Sequence, residues 1–173
     1  MLLTGTYRRS VDDKQRVAIP KRLRDALKAS CSGSSSGSAD KDALYIAPGT
    51  DGSLALYTEG AFSELGARLA QGSPAGQEVR AFSRLFYSQA QRVEMDGQGR
   101  FRIPPELFGL AGLGGEVVLV GVRDHMELWD PAKWEKYLEE KQRQYDAIAE
   151  RAFSQNGPST APPAPPNSAP AGQ

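Results

Sequence analysis

The sequence predicts a mixed α+β fold that is mainly β, with α-helices flanking short strands. Three observations support this prediction: short alternating runs bounded by turn residues, amphipathic stripes at helical spacing, and a motif that occurs twice. With 173 residues, 39% of them hydrophobic and 24% charged, the chain is long enough for one compact domain with appendages.

An internal duplication organises the chain. Residues 11–23 reappear as residues 95–107 at a constant offset, and both carry Asp-x-x-x-Arg followed by Ile-Pro. The matched pairs are Asp12 and Asp96, Arg16 and Arg100, Ile19 and Ile103, Pro20 and Pro104, and Leu23 and Leu107. The match resumes at a shorter offset further on, because the first copy carries a Gly/Ser-rich insert at 30–41. Each copy is too small to bury a core alone, so we expect the two to fold as a pair.

Each copy begins with two strands joined by a polar turn. Alternating runs predict the first strands at 5–11 and 90–95, turn formers follow at 12–15 and 96–99, and second strands follow at 16–19 and 100–103. Pro20 and Pro104 then stand where proline favours a first helical turn, so a short helix is expected after each.

Two further strands complete each copy. They are predicted at 44–47 and 54–57 in the first copy and at 117–122 and 126–129 in the second, with hairpin turns at Asp51-Gly52 and Asp124-His125. Apolar stripes predict two helices between the copies, one through Phe62, Leu65 and Leu69 and one through Val79, Phe82 and Phe86. Asp130-Pro131 opens the last helix, which is expected to run to about Phe153.

These elements divide the chain into five segments. They are a first repeat at 5–57 with the flexible insert 30–41, connecting helices at 58–89, a second repeat at 90–130, a C-terminal helix at 131–153 and a disordered tail at 154–173. The tail is rich in proline and alanine and has no charge or aromatic side chain, a composition that does not bury a core.

The composition excludes several classes of protein. One cysteine, Cys31, and one histidine, His125, provide no disulfide framework, no metal site and no paired catalytic groups. We therefore expect no enzyme, no cofactor and no small-molecule substrate. No apolar run approaches the roughly 20 residues of a membrane span, and the N-terminus lacks the apolar region of a secretory signal. A cytoplasmic protein is expected.

Charge is distributed unevenly along a chain whose formal net charge is zero. Residues 1–28 hold eight Lys or Arg and three Asp, whereas the matching residues 90–112 hold three groups of each sign. The first copy is therefore expected to present a basic patch that attracts polyanions.

The repeated motif has two interpretations that do not exclude each other. In one, Asp12 caps the turn and pairs with Arg16 across it, which is a structural role. In the other, the turn presents Lys14 and Arg16, beside Arg8 and Arg9, to nucleic acid, as β-ribbon readers do in the major groove.

At these residues the chain resembles the MraZ family of transcriptional regulators, which are built from two SpoVT-AbrB type repeats. The resemblance covers about residues 1–152 and rests on landmarks in order: Gly5-x-Tyr7, Asp12 to Arg16 with Ile19-Pro20, Asp51-Gly52 before Leu54-x-Leu56-Tyr57, Arg80-Ala-Phe82, Asp96 to Arg100 with Ile103-Pro104, and Val117 to Val122 before Glu127-Leu-Trp-Asp130.

The resemblance implies a swapped-hairpin AbrB-like β-barrel whose two halves interleave, in a ring-shaped homo-oligomer. It also implies binding to short tandem repeats of double-stranded DNA in the promoter of the cell-division and cell-wall gene cluster, usually with repression, on the nucleoid. The candidate DNA-binding residues are Lys14, Arg16, Arg8, Arg9, Gln15, Lys21, Arg22 and Arg100, and the candidate turn-structural residues are Asp12, Asp96, Pro20 and Pro104. Gln15 stands where the family usually has glycine, so an altered first turn is expected.

The alternative function is an antitoxin-like or other partner-binding module, since single-copy AbrB-type domains form the DNA-binding half of antitoxins. Trp134, Leu138 and Tyr145 are spaced along one helix face and are candidates for contacts between protomers, or for packing within one chain. From the charge asymmetry, Arg16→Ala is expected to weaken specific binding far more than Arg100→Ala.

Overall fold

A computed structural model describes residues 2–31, 43–71 and 76–154 of the chain. The strands are β1 (Leu3–Ser10), β2 (Arg16–Ala18), β3 (Ala43–Pro48), β4 (Leu54–Thr58), β5 (Gln91–Glu94), β6 (Arg100–Arg102), β7 (Glu116–Arg123) and β8 (His125–Trp129). The helices are α1 (Lys21–Cys31), α2 (Glu59–Gln71), α3 (Gln77–Gln89), α4 (Pro105–Ala111), α5 (Pro131–Gln142) and α6 (Tyr145–Ser154).

The strands form two antiparallel sheets, which confirms the mixed α+β prediction. The helices hold more of the described residues than the strands do, so the expectation of a mainly β fold is wrong. One sheet has six strands in the order β1-β7-β8-β4-β3-β5, and the other is a ribbon of β2 and β6. Four of the pairings join one copy to the other: β1 with β7, β3 with β5, β4 with β8, and β2 with β6. The two copies therefore interleave and share their sheets.

The apolar positions of the repeated motif lie at the centre of the core. Val17, Ile19 and Leu23 of the first copy are each at most 2% exposed, and so are their counterparts Phe101, Ile103 and Leu107. All six belong to one cluster with the inward side chains of the larger sheet. Because burial of such side chains is the main favourable term in folding, the duplicated pattern is explained first by a shared core.

The first hairpin turn forms where the sequence predicts it, whereas the second lies one residue earlier than predicted, at Arg123-Asp124, because His125 already pairs with Val122 as the first residue of β8. Asp51 and Gly52 have positive φ angles of 56° and 82° between β3 and β4. That pair of angles is typical of the turns whose twist matches the flanking strands. Asp124 separates β7 from β8, and Arg123 before it has a φ of 59°.

An aromatic cluster holds the connecting helices against the larger sheet. Phe62 of α2 stacks on Tyr45 of β3 with ring centroids 4.6 Å apart, and on Phe86 of α3 at 5.8 Å. Phe86 is buried, as the predicted stripe requires, whereas Phe82 on the same stripe is 45% exposed. Only part of the stripe on α3 is therefore buried.

The C-terminal region differs from its prediction. One helix was expected over 131–153, but α5 ends at Gln142 and α6 begins at Tyr145. The N–H of Gln144 donates to Lys141 O at 3.0 Å, which closes a tight turn at the break. Nothing in the sequence at this break explains it, since neither glycine nor proline is present.

The chain divides into two compact units, Met1–Lys136 and Tyr137–Gln173. The first contains both sheets, and the second contains the end of α5 and all of α6. The predicted insert 30–41 begins inside α1, which extends to Cys31, and its remainder lies outside the described residues. The predicted disordered tail, 154–173, begins at Ser154, which is the last residue of α6, and its remainder lies outside the described residues.

Candidate nucleic-acid interface

Asp12 closes the first turn with both of its carboxylate oxygens. Oδ1 accepts hydrogen bonds from the backbone N–H groups of Lys14 and Arg16, each at 2.9 Å. Oδ2 accepts one from Nε of Arg16 at 2.7 Å. In the structure, Asp12 therefore caps the turn and pairs with Arg16 across it.

The second copy repeats this geometry. Asp96 Oδ1 accepts from the N–H groups of Gln98 at 2.9 Å and Arg100 at 3.0 Å, and Oδ2 accepts from Arg100 Nε at 2.9 Å. The backbone N–H of the arginine, and then the guanidinium, hold the pKa of each aspartate below its usual value. Both carboxylates are thus ionised and bound to their arginines at neutral pH.

The first turn is not altered by Gln15, so the expectation drawn from the missing glycine is wrong. Gln15 has a φ of 58° and Gly99, its counterpart, has 74°. The N–H of Gln15 donates to the carbonyl of Asp12, and the N–H of Gly99 donates to the carbonyl of Asp96, each at 2.8 Å. A residue with a side chain enters this left-handed region at a cost of roughly 1–2 kcal/mol, which the surrounding hydrogen bonds offset.

The ribbon of β2 and β6 presents three arginines on one face. Arg16 pairs across the ribbon with Arg102, and Ala18 pairs with Arg100. Between them, the pair of Val17 and Phe101 points to the opposite face and is buried. Because side chains alternate along a strand, the three arginines share the outer face.

Arg102 is absent from the residues predicted from the sequence. Its counterpart in the first copy is Ala18, so Arg102 is not a basic position that the two copies share. The alternation Arg100-Phe101-Arg102 was the available signal, since a buried aromatic between two arginines on a short strand places both on the solvent side.

The other predicted basic residues lie in different settings. Arg8 on β1 forms an ion pair with Glu135 of α5. Arg9 donates to Arg8 O at 3.1 Å and lies 5.9 Å over the ring of Tyr7. The remaining members, Lys14, Lys21 and Arg22, are exposed on the first turn and the start of α1. The positive charge of the basic patch in the first copy is therefore smaller than its number of Lys and Arg residues suggests, because Glu135 neutralises Arg8.

The second turn is covered by a side chain from the first copy. Nη1 of Arg24, on α1, donates to the carbonyl of Gln98 at 3.3 Å. A Cβ added to Gly99 would lie 2.3 Å from Cδ of Arg24. A Cβ at this position would thus meet both the left-handed backbone, with a φ of 74°, and the side chain of Arg24, which was not among the predicted site residues.

His125 belongs to a structural cluster on the larger sheet. Its Nδ1 lies 2.8 Å from Asp124 Oδ1, its Nε2 lies 3.6 Å from Glu127 Oε1, and its ring stacks on Tyr57 at 5.1 Å. The contact with the Glu127 carboxylate is the main cause that raises the pKa of His125. Within the described ranges, no three His, Cys, Asp or Glu side chains are placed to hold a metal ion.

Comparison with known proteins identifies the family. A family described as "MraZ protein, putative antitoxin-like" matches residues 86–156. The transcriptional regulator MraZ of Finegoldia magna is 35% identical over 149 residues, which cover 86% of this chain and 95% of the relative. That of Acetivibrio thermocellus is 35% identical over 85% of this chain and 94% of the relative. The chain belongs to the MraZ family.

MraZ family membership agrees with the resemblance drawn from the repeated motif. The regulator MraZ of Moorella thermoacetica adds a third relative, 34% identical over 87% of this chain and 96% of its own length. The family consists of transcriptional regulators, so the expectation that this chain is not an enzyme is confirmed. None of the helices in the described parts of the chain has the length and apolarity that crossing a membrane requires.

Proposed function

We propose that this chain is a sequence-specific regulator that binds double-stranded DNA at short tandem repeats in the promoter of the cell-division and cell-wall gene cluster, and that it represses that promoter. The observation that carries the proposal is the outer face of the β2–β6 ribbon, where two arginines are each held by an aspartate. Its relatives are named transcriptional regulators.

The aspartate contacts favour base recognition for an entropic reason. A free arginine loses up to about 2 kcal/mol of side-chain entropy when it is ordered. Asp12 already binds Nε of Arg16, and about a third of each side chain stays exposed. An arginine ordered in this way is suited to the two-point hydrogen bond with a guanine edge, the commonest specific contact in the major groove.

Assembly is the second part of the proposal. We infer that the two sheets belong to a swapped-hairpin barrel and that several copies form a ring on the nucleoid, so that weak ribbons at fixed spacing gain avidity on repeated sites. Trp134 packs on Trp129 within one chain, with ring centroids 5.4 Å apart. Leu138 and Tyr145, which are 43% and 70% exposed, remain the candidates for contacts between protomers.

A partner-binding, antitoxin-like module is the alternative function. The family description includes the words antitoxin-like, and α6 exposes Tyr145, Ile148 and Phe153. Copurification of a second protein at a fixed stoichiometry, together with loss of DNA binding on its addition, would favour this alternative.

A gel-shift titration tests the main proposal. The protein is titrated on the division-cluster promoter of its host and on unrelated DNA of equal length, with Arg16→Ala and Arg100→Ala in parallel. Discrete, salt-sensitive shifts on the promoter alone, lost in Arg16→Ala and retained in Arg100→Ala, are expected. Equal losses in the two variants would mean that both turns read DNA. Equal shifts on both DNAs would contradict sequence-specific binding.

A further inference from the structure

Two like charges face each other on the ribbon. Arg16 and Arg102 are direct cross-strand partners. Side chains at such positions start from Cβ atoms about 5 Å apart, and like charges directly opposite each other destabilise a sheet. The pair therefore needs compensation from an anion.

Only one of the two arginines is compensated within the chain. Arg16 is bound to Asp12 at 2.7 Å, and Arg100 on the same face is bound to Asp96 at 2.8 Å. Arg102 is exposed and has no hydrogen bond or ion pair with any of the residues the structure describes. The uncompensated positive charge of the arginine face thus lies at Arg102.

The acidic side chains in the cleft that Arg102 lines do not neutralise it. Glu94 and Glu106 line the same shallow cleft, beside Pro104 and Pro105. Glu94 is already bound to Arg92 at 2.7 Å, and neither glutamate forms an ion pair with Arg102.

The position of Arg102 connects it to the first turn. The N–H of the next residue, Ile103, donates to the carbonyl of Gln15 at 2.9 Å. Arg102 therefore lies at the end of the ribbon that carries Gln15 and the exposed Lys14. The second copy thereby supplies a cation to the turn of the first copy.

We propose that Arg102 binds a phosphate of the DNA backbone and, with Lys14, positions the first turn on the duplex. This inference rests on the proposed function. Arginines ordered by aspartate suit base edges, where geometry decides specificity. An unrestrained arginine suits phosphate, which accepts hydrogen bonds from many directions and carries no sequence information.

Arg102→Ala separates this role from base reading. Affinity is measured for the promoter repeats and for unrelated duplex DNA over a range of salt concentrations. The variant is expected to bind both DNAs about threefold to tenfold more weakly, with the ratio of the two affinities unchanged. The slope of log affinity against log salt is expected to fall by about 1 for each bound protomer.

Two further variants serve as matched controls. Arg84→Ala removes the same charge from an exposed position on α3 and is expected to leave the affinity and the salt slope unchanged. Ala18→Arg places an arginine at the position in the first copy that corresponds to Arg102 and is expected to raise the salt slope by about 1. Thermal unfolding of each variant checks that its fold is intact.

Two results would overturn the inference while leaving the proposed function in place. In one, Arg102→Ala behaves like Arg84→Ala. In the other, Arg102→Ala weakens binding only to the promoter repeats, which would assign Arg102 to base reading. Failure of the unsubstituted protein to bind any duplex would instead overturn the proposed function itself, and the inference with it.

Discussion

Gln15 in the first copy and Ile103 in the second are joined by a backbone hydrogen bond of 2.9 Å from the N–H of Ile103 to the carbonyl of Gln15. Gly99 and Ile19 form the same bond in the opposite direction at the same length. Each motif turn is therefore fastened to the strand end of the other copy. The left-handed backbone at Gln15 and Gly99 orients their carbonyls toward the N–H groups of Ile103 and Ile19.

The two turns are expected to respond in opposite directions to substitution. Gln15→Gly removes the left-handed penalty but adds entropy to the unfolded chain, so it should raise the free energy of unfolding by about 0.5 kcal/mol. Gly99→Ala creates the penalty and a clash with Arg24, so it should lower that free energy by about 1–2 kcal/mol. Urea unfolding of both variants measures the difference.

A double variant identifies the cause at Gly99. If the clash with Arg24 contributes, Gly99→Ala combined with Arg24→Ala should cost less than the sum of the single changes. Strict additivity would assign the whole effect to the backbone conformation.

Gly121 is expected to be the most sensitive glycine of the larger sheet. It pairs with Gly5 across β1 and β7, and an added Cβ would lie 2.5 Å from the backbone nitrogen of Thr4. Gly121→Ala must push the two strands apart and should lower the free energy of unfolding by about 2–3 kcal/mol. Gly109→Ala, on an open helix surface, is the control and should raise it by about 0.5–1 kcal/mol. A loss in Gly121→Ala no larger than 0.5 kcal/mol, on the order of a surface change, would contradict the tight strand contact.

Asp12→Asn is expected to reduce sequence preference more than affinity. Asparagine keeps an oxygen for the turn but loses the charge that orders Arg16, so the advantage of promoter repeats over unrelated DNA should fall roughly tenfold. Asp13→Asn removes the same charge from the exposed neighbouring position and should keep the preference. Fluorescence anisotropy on the two DNAs measures this ratio, and an equal fall in both variants would refute the ordering role of Asp12.

The stability of the fold is expected to fall as pH rises through the folded-state pKa of His125. Contacts with the carboxylates of Glu127 and Asp124 raise the pKa of His125 in the folded state above the value of about 6.5 in the unfolded chain. The stabilisation is therefore fully present below about pH 6.5 and is lost as pH rises through the folded-state pKa. His125 is the chain's one histidine, so His125→Gln should flatten the profile of unfolding free energy between pH 6 and 8. An unchanged profile would show that another group causes the dependence.

Local patterns predicted much of this structure, and long-range pairing explains what they missed. The Asp12–Arg16 contact spans four residues, so turn chemistry alone was enough to anticipate it. The pairing of Arg16 with Arg102 depends on topology, which no local pattern contains. The same is true of the ion pair between Arg8 and Glu135, which a count of basic residues could not foresee. The break between α5 and α6 contains no glycine or proline from which it could be predicted.

The pairing of β1 with β7 has a consequence for synthesis of the chain. Leu3 leaves the ribosome before its pairing partner, Arg123. Until β7 has emerged, β1 has no strand beside it and the apolar side chains of the first copy lack their shared core. Such non-local contacts form slowly and leave early segments exposed to association with other chains. We therefore expect the first copy to stay unfolded until most of the second copy has been translated.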